Sequence, residues 1–284
     1  MTFRTRFAPS PTGPLHLGHA YSALLAYDLA QSANGEFLLR IEDIDKSRAR
    51  PEWDAQIYDD LAWLGLKWST PVMRQSERKS AYDTALDTLW RRGLLYPCHC
   101  SRADIAAAAS APQEGAPLLG PDGIIYPGTC RPEQAINTPR PQNTPLRLNM
   151  KRACQDLNWP LNFDEEGDDV PQKVIFSAKD MIETVGDIVL ARRNMGTSYH
   201  LSVVVDDAEQ GISHVVRGRD LMEATPIHIV LQNLLGLPNP VYHHHRLIRD
   251  EVGKRLAKRN DARAISLLRR KGANRQDIRS IIEA

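Results

Sequence analysis

The chain opens with a short run at residues 2–7 that predicts a strand, closed by Pro9, Pro11 and Gly13. Apolar positions then recur at helical spacing through Leu17, Tyr21, Leu24, Leu25 and Tyr27, and Gly35 marks the stop. EFLLRIE at 36–42 reads as a second strand. Pro51 suits the first turn of the next helix and Gly65 its end, and residues 77–92 are helical up to Gly93. This strand–helix–strand–helix alternation predicts an α/β domain with a parallel sheet. Near residue 97 the texture changes. A short alanine-rich helix carries Ser101 and Asp104 at capping-box spacing, the Pro/Gly-rich stretch 111–123 predicts a mobile loop, and 131–172 is rich in proline, asparagine and acidic residues. Strand patterns resume at DIVLAR (187–192) and ISHVVR (212–217), followed by a helical stretch from Asp220 to Gly236 that Pro226 should interrupt. Residues 241–248 read as a further strand, and from Ala262 the chain is helical and basic. The expected organisation is 1–96 as the first half of the α/β domain, 97–186 as an insertion, 187–240 as the second half, and 241–284 as a basic, short helical region.

Composition narrows the class. The chain has 284 residues, 25% charged and 42% hydrophobic, enough for one sizeable core or a core plus a modest insertion. No apolar run is long enough for a membrane span and MTFRTRF lacks a signal core, so a cytoplasmic protein without a membrane partner is expected; a monomer is the separate expectation for its assembly. A net charge of +1 excludes a polycation, yet from Arg246 to Ala284 there are 12 Lys or Arg against 5 Asp or Glu. Such an end suits a polyanion such as RNA, or simply a pair of solvated helices. Four cysteines do not suggest a disulfide framework, and Cys98, Cys100 and Cys130 invite a metal reading. The run His243–His245 does not: in an extended segment His244 faces opposite to its neighbours, which points to a structural or surface role.

The strongest chemical signal is Arg6-Phe7-Ala8-Pro9-Ser10-Pro11-Thr12-Gly13 followed by His16-Leu17-Gly18-His19. A strand passes through a tight turn into a helix whose first N–H groups and partial positive charge suit phosphate. The two imidazoles add donors, and Gly18 permits close approach of a nucleotide. Far downstream, Lys254-Arg255-Leu256-Ala257-Lys258-Arg259 places lysines in a Gly-containing stretch that could close over a polyphosphate.

Together these segments resemble the class I aminoacyl-tRNA synthetases: HLGH at 16–19 is similar to the HIGH signature and RLAKR at 255–259 to the KMSKS-type loop. RFAPSPTG, RIEDID (40–45), YHLSVVVDD (199–207) and VVRGRDL (215–221) resemble the glutamyl branch, with the segments in order from Arg6 to Arg259. The resemblance implies a Rossmann-type parallel-sheet nucleotide-binding domain, ATP and Mg²⁺, and an L-glutamate site. It carries over Arg6, Ala8 and Ser10 as the glutamate cradle, Glu42 for the substrate ammonium, and Tyr199 and Arg217 as further glutamate residues. It implies His16, Gly18, His19 and Lys258 at ATP, with His16, His19 and Lys258 catalytic. Arg6 is suited to a bidentate carboxylate pair.

Two positions depart from the glutamyl pattern: Val203 stands where asparagine is common, removing a polar contact, and Ala257 replaces the serine of the lysine loop. The chain also stops 25 residues after Arg259, where the family's anticodon-binding domain would follow. In this it resembles the glutamyl-Q branch, which attaches glutamate to queuosine in the anticodon of tRNA(Asp). That branch has a zinc site of pattern C-x-C…Y-x-x-x-C, which implies Cys98, Cys100, Tyr126 and Cys130 as Zn²⁺ ligands in an inserted zinc-containing subdomain. Spacing alone leaves His99 or Cys154 open for the fourth place. The competing readings are a minimal glutamyl-tRNA synthetase charging the 3′ end of tRNA(Glu) and a noncatalytic RNA-binding paralogue.

Overall fold

In the computed structural model of the chain, residues 2–109, 119–167, 171–248 and 264–283 are described. The first strand β1 (Arg4–Phe7), helix α1 (Leu17–Ser32) and strand β2 (Glu36–Ile41) form a parallel unit, with Arg4 opposite Glu36 and Phe7 opposite Leu39. Helix α2 (Pro51–Trp63) starts on Pro51, whose missing N–H costs nothing at that position. Strand β3 (Met73–Arg74) then adds to β2 in parallel. Helix α3 (Lys79–Arg91) follows a 3₁₀ turn at Gln75–Glu77.

Three strands, β4 (Leu95–Pro97), β7 (Leu146–Leu148) and β10 (Val189–Ala191), make an antiparallel sheet around the metal-suggestive segment. Between β4 and β7 lie α4 (Arg102–Ala109) and a hairpin of β5 (Leu119–Gly120) and β6 (Gly123–Ile124). The Ser101–Asp104 capping box is present: Asp104 Oδ2 accepts from Ser101 N–H at 2.8 Å and Ser101 Oγ from Asp104 N–H at 3.2 Å. Helix α5 (Met150–Gln155) leads to β8 (Leu161–Glu165) and β9 (Gln172–Phe176), and a short helical turn α6 (Ala178–Asp180) precedes β10. Helix α7 (Tyr199–Glu209), strand β11 (His214–Gly218), helix α8 (Thr225–Leu235) and strand β12 (Val241–His245) complete the second βαβ unit. Here the parallel pair β11–β12 is extended by β8 and β9. The chain ends in α9 (Ile265–Arg270) and α10 (Arg275–Glu283).

Pro226 does not interrupt a helix. It sits in the first turn of α8, behind a 3₁₀ turn at Arg219–Ala224, where proline is tolerated. Gly236, with φ of 66°, ends that helix in the left-handed region. Likewise, part of the stretch read as a mobile loop is the β5–β6 hairpin.

The two parallel units abut where Ser213 N–H donates to the Arg4 carbonyl at 3.0 Å. One apolar cluster gathers Phe7, Leu24, Leu39 and Leu61 with Ile278 of α10. A second packs α3, α7 and α8 on the antiparallel sheet through Leu86, Leu148, Leu190, Leu201 and Ile229. Helix α7 is also held by a buried carboxylate. Asp206, 0% exposed, accepts from Gln75 Nε2 at 2.9 Å, Arg78 Nε at 3.0 Å and the Tyr82 hydroxyl at 2.8 Å. Removing it strands three donors, one of them charged. Asp206→Ala is expected to destabilise the fold by about 3–5 kcal/mol in urea denaturation. A loss below about 1 kcal/mol would mean that the hub does not anchor α7.

Candidate active site

A crevice opens at the carboxyl ends of β1, β2, β11 and β12, where parallel units diverge and ligands of open α/β sheets gather. It holds a cavity of about 230 Å³. Of the residues proposed from sequence, Arg6, Ala8, His16, Gly18, His19, Glu42, Tyr199 and Arg217 line it together. Ser10 does not; its carbonyl accepts from Thr12 N–H in the turn beyond. Lys258 and the rest of RLAKR lie outside the described residues. The chain around them is tied to the crevice on both sides: Ile248 lines the cavity, and Ala264 bridges His16 while Ile265 N–H donates to the Leu15 carbonyl at 2.9 Å.

The start of α1 is a capping box built from histidines. His16 Nδ1 accepts from Gly18 N–H at 3.1 Å, and His19 Nδ1 accepts from His16 N–H at 3.1 Å. Because each Nδ1 accepts, the neutral form of each ring carries its proton on Nε2. The helix thus offers imidazole N–H donors, while its Gly18 and His19 N–H groups are already engaged. Gly18 leaves room for the box: a Cβ there would stand 3.1 Å from the His16 ring, which would have to shift by a few tenths of an ångström.

Behind the cavity lies a buried charge cluster. Arg6 meets Asp207 through two nitrogens at 3.0 and 3.3 Å, so its bidentate partner is a protein carboxylate. Arg40, 0% exposed, reaches Asp207 at 2.6 Å and Glu42 at 3.1 Å. Burial alone would raise the Asp207 carboxyl, but Arg6 and Arg40 hold it below its ordinary value. Glu42 goes the other way: burial raises it despite Arg40. Arg217 differs from both of its neighbours in kind. It is 6% exposed, yet its partners are His244 Nε2, His228 Nδ1, Thr225 Oγ1, the Leu221 carbonyl and, at 3.5 Å, the Tyr199 hydroxyl. These are neutral acceptors, so its charge is not cancelled by direct contact with a carboxylate. Neither Glu42 nor Arg217 forms a surface ion pair.

Arg40 and Asp207 stand in RIEDID and VVVDD with no part assigned to them from sequence, and Ser22, Asp220 and His245, likewise unassigned there, also line the cavity. The signal in hand was the charge density of RIEDID and VVVDD. The histidine run is partly structural, as expected: His244 is buried against Glu165, whereas His245 contacts Ser22 Oγ at 2.6 Å beside the cavity. Val203 is 2% exposed and does not line the cavity.

A second constellation lies in the antiparallel sheet. The sulfurs of Cys98, Cys100 and Cys130 fall within 4.8 Å of one another. The Tyr126 hydroxyl is 3.4 Å from Cys98 and from Cys100, and accepts from Cys130 N–H at 2.7 Å. Zinc–sulfur bonds of about 2.3 Å imply ligand separations near about 3.8 Å, so these four donors fit one tetrahedral ion. His99 is exposed, and Cys154 packs in the main apolar cluster, 3.9 Å from the Ala178 carbonyl. Arg147 lies over the Tyr126 ring at 3.9 Å and donates to Cys98 Sγ, while burial and the neighbouring thiols push the Tyr126 hydroxyl well above its ordinary value. Burial raises the Cys130 thiol, but hydrogen bonding to Tyr126 and the His99 N–H outweighs it and brings the value to about 7. Burial pushes Cys154 up to about 11.

The chain matches the family of tRNA synthetases class I (E and Q), catalytic domain, over residues 2–283. It belongs to that family, a class of aminoacyl-tRNA-synthetase-type ligases. It is 60% identical over 282 residues to a protein of Rhodobacter capsulatus named glutamyl-Q tRNA(Asp) synthetase, covering 98% of this chain and 99% of that one. A protein of the same name from Symbiobacterium thermophilum is 41% identical over 285 residues, covering 96% of this chain and 83% of its own. Among solved structures, the glutamate tRNA ligase of Elizabethkingia meningosepticum, in complex with its amino acid, superposes with a TM-score of 0.69 at 26% identity. The glutamate-tRNA synthetase of Elizabethkingia anophelis gives 0.71 at 26%. Each alignment covers 92% of this chain, which spans about half of those proteins, 53% and 54%. Among the described residues no helix is long and apolar enough to cross a membrane.

The thiol values give a direct check on the second constellation. In chelator-treated protein near neutral pH, iodoacetamide should alkylate Cys130 well before Cys154, since only the thiolate reacts. Added zinc should then protect Cys98, Cys100 and Cys130 together. Peptide mass spectrometry reads both, and equal labelling of Cys130 and Cys154 would contradict the assignment.

Proposed function

We propose that this enzyme activates L-glutamate with ATP and transfers it to queuosine in the anticodon of tRNA(Asp). The observation that carries this is Arg217: a buried guanidinium, facing a cavity, whose hydrogen-bond partners among the described residues are all neutral acceptors. Burying a cation without a counter-ion is costly, so the site is built to receive an anion from outside. The side-chain carboxylate of glutamate is that anion. Glu42 receives the ammonium group, with Tyr199, Arg6 and Ala8 shaping the walls and Ser10 supporting the turn. The preference for queuosine-bearing tRNA(Asp) is supported by the names of the relatives at 60% and 41% identity.

In the first step a glutamate α-carboxylate oxygen attacks the α-phosphorus of ATP. The new O–P bond forms as the bond to pyrophosphate breaks, giving glutamyl-adenylate. Catalysis is positioning and charge stabilisation. His16 and His19 present Nε2–H donors beside Gly18, and Lys258 belongs to a segment flanked by Ile248, which lines the cavity, and by Ala264, which bridges His16. Mg²⁺ accompanies the ATP phosphates. In the second step an RNA hydroxyl attacks the carbonyl carbon of the anhydride and AMP leaves. Cys98, Cys100, Cys130 and Tyr126 would hold Zn²⁺, which would supply a structural cross-link for the antiparallel sheet.

Incubation with ATP and labelled glutamate, offering queuosine-containing tRNA(Asp), unmodified tRNA(Asp) and tRNA(Glu), tests the reading. Label should appear only on the first. Label at the 3′ end of tRNA(Glu) would refute the acceptor, and absence of glutamate-dependent ATP–pyrophosphate exchange would refute the activity. Arg217→Ala should lower kcat/KM for glutamate in that exchange by about 100-fold or more while leaving KM for ATP nearly unchanged.

A further inference from the structure

Arg217 is surrounded by acceptors whose protonation it dictates. A guanidinium only donates, so each imidazole nitrogen facing it must carry a lone pair. Arg217 Nε lies 3.1 Å from His244 Nε2, so a neutral His244 keeps its proton on Nδ1, next to Glu165 Oε2 at 2.5 Å. The other oxygen of Glu165 is fixed by the N–H groups of His244 and Gly167, both at 2.9 Å. On the opposite side, Arg217 Nη1 lies 3.1 Å from His228 Nδ1, which puts the His228 proton on Nε2, facing His200 Nδ1 at 3.1 Å. His200 then accepts, and its own proton on Nε2 points to Asp122 Oδ1 at 3.2 Å. Two lines of donors run outward from one guanidinium, each ending on a carboxylate, with neutral imidazoles between.

The alternative of a carboxylate directly against Arg217 is the one used for Arg6 and Arg40, both paired with Asp207. Such a partner would hold the guanidinium as firmly but would cancel the charge that the ligand must meet. An imidazole fixes direction without cancelling charge.

We propose that His228 and His244 are positioning residues that hold Arg217 for the substrate's side-chain carboxylate as neutral acceptors, their tautomers locked by His200–Asp122 and by Glu165. Glutamate affinity is therefore lost when either ring gains a proton. This rests on the reading of the cavity as a glutamate site. A proton on His228 or His244 would aim an N–H at an N–H of Arg217 and add a second buried cation beside it. The groups facing the pair are Tyr199 and His200 of α7, Arg6 of β1, Tyr242 and His243 of β12, and Glu165 of β8. Burial first, and then Arg217, keep His228 well below the ordinary imidazole value. For His244 burial lowers the value and Glu165 opposes it without prevailing.

The test uses the full chain, with L-glutamate binding followed by calorimetry and glutamate-dependent ATP–pyrophosphate exchange followed from about pH 8 down to about pH 4, since both rings gain a proton only below the ordinary imidazole range. His228→Asn keeps an acceptor near Nδ1 and His244→Gln one near Nε2, whereas His228→Leu and His244→Leu keep none. The leucine variants should raise KM for glutamate by about 10–100-fold, with KM for ATP little changed. The amide variants should recover most of the affinity, and because either protonated ring suffices for the loss, the double variant His228→Asn, His244→Gln should flatten the acid-side loss seen in the parent. If the leucine variants do not fold, the pH profiles of the amide variants decide. An acid-side loss set by Glu42 or by the substrate's own carboxylate would persist unchanged in the double amide variant and would overturn the proposal, as would parent-like glutamate affinity in folded leucine variants. A parent that neither binds glutamate nor exchanges pyrophosphate would overturn the site assignment together with this inference. A parent that binds glutamate, with variants indifferent to substitution, would overturn this inference alone.

Discussion

The crevice depends on how charge is divided among three buried arginines. Arg6 and Arg40 share Asp207, and Arg40 also holds Glu42, so these charges largely cancel inside the protein. Removing ions from water costs several kcal/mol each, and such clusters survive only with close, well-directed partners. Arg217 is exempt from that cancellation. Its partners orient it and leave its charge intact, which is why the proposed reading gives it an external anion. The same arrangement explains why Glu42, with a raised carboxyl value, sits at the cavity edge beside an arginine that keeps it directed.

The fold brings these groups together by abutting two parallel units. Strands β1 and β2 deliver Arg6 and Glu42; β11 delivers Arg217; α7 delivers Tyr199 and Asp207. Helix α7 is held at the adjacent residue, Asp206, by donors from the 3₁₀ turn and α3, so support and function occupy neighbouring positions on one helix. At the front, the His16–His19 capping box fixes both ring tautomers with backbone N–H groups. The return of the chain at Ala264 and Ile265 ties the C-terminal helices to the same turn.

The thiol cluster sits on a separate antiparallel sheet, but that sheet is not remote. The β5–β6 hairpin beside the cluster carries Asp122, which bonds His200 and so reaches, through His228, to Arg217. The subdomain that would be cross-linked by zinc therefore also supplies the outer anchor of a side-chain line leading into the cavity.

Much of the local structure could be read from residue order. The alternation of apolar periods predicted β1, α1, β2, α2 and α3, and Ser101–Asp104 predicted its capping box, because these depend on interactions between residues close in the chain. The segments HLGH, RIEDID, YHLSVVVDD and VVRGRDL marked the family and the residues that meet in the crevice. Pro226 reads from sequence as an interruption, because only the preceding 3₁₀ turn makes it a helix start. Asp207, Arg40, His228, His244, Glu165 and Asp122 acquire meaning only when strands and helices distant in sequence face one another: a carboxylate or an imidazole has no partner until the fold supplies one. Sequence determined which chemical groups the chain carries and which short elements they ride on. Tertiary structure decided which charges are cancelled, which tautomers are enforced and which guanidinium keeps an uncancelled charge, because pairing, burial and hydrogen-bond direction are set by distances across the fold.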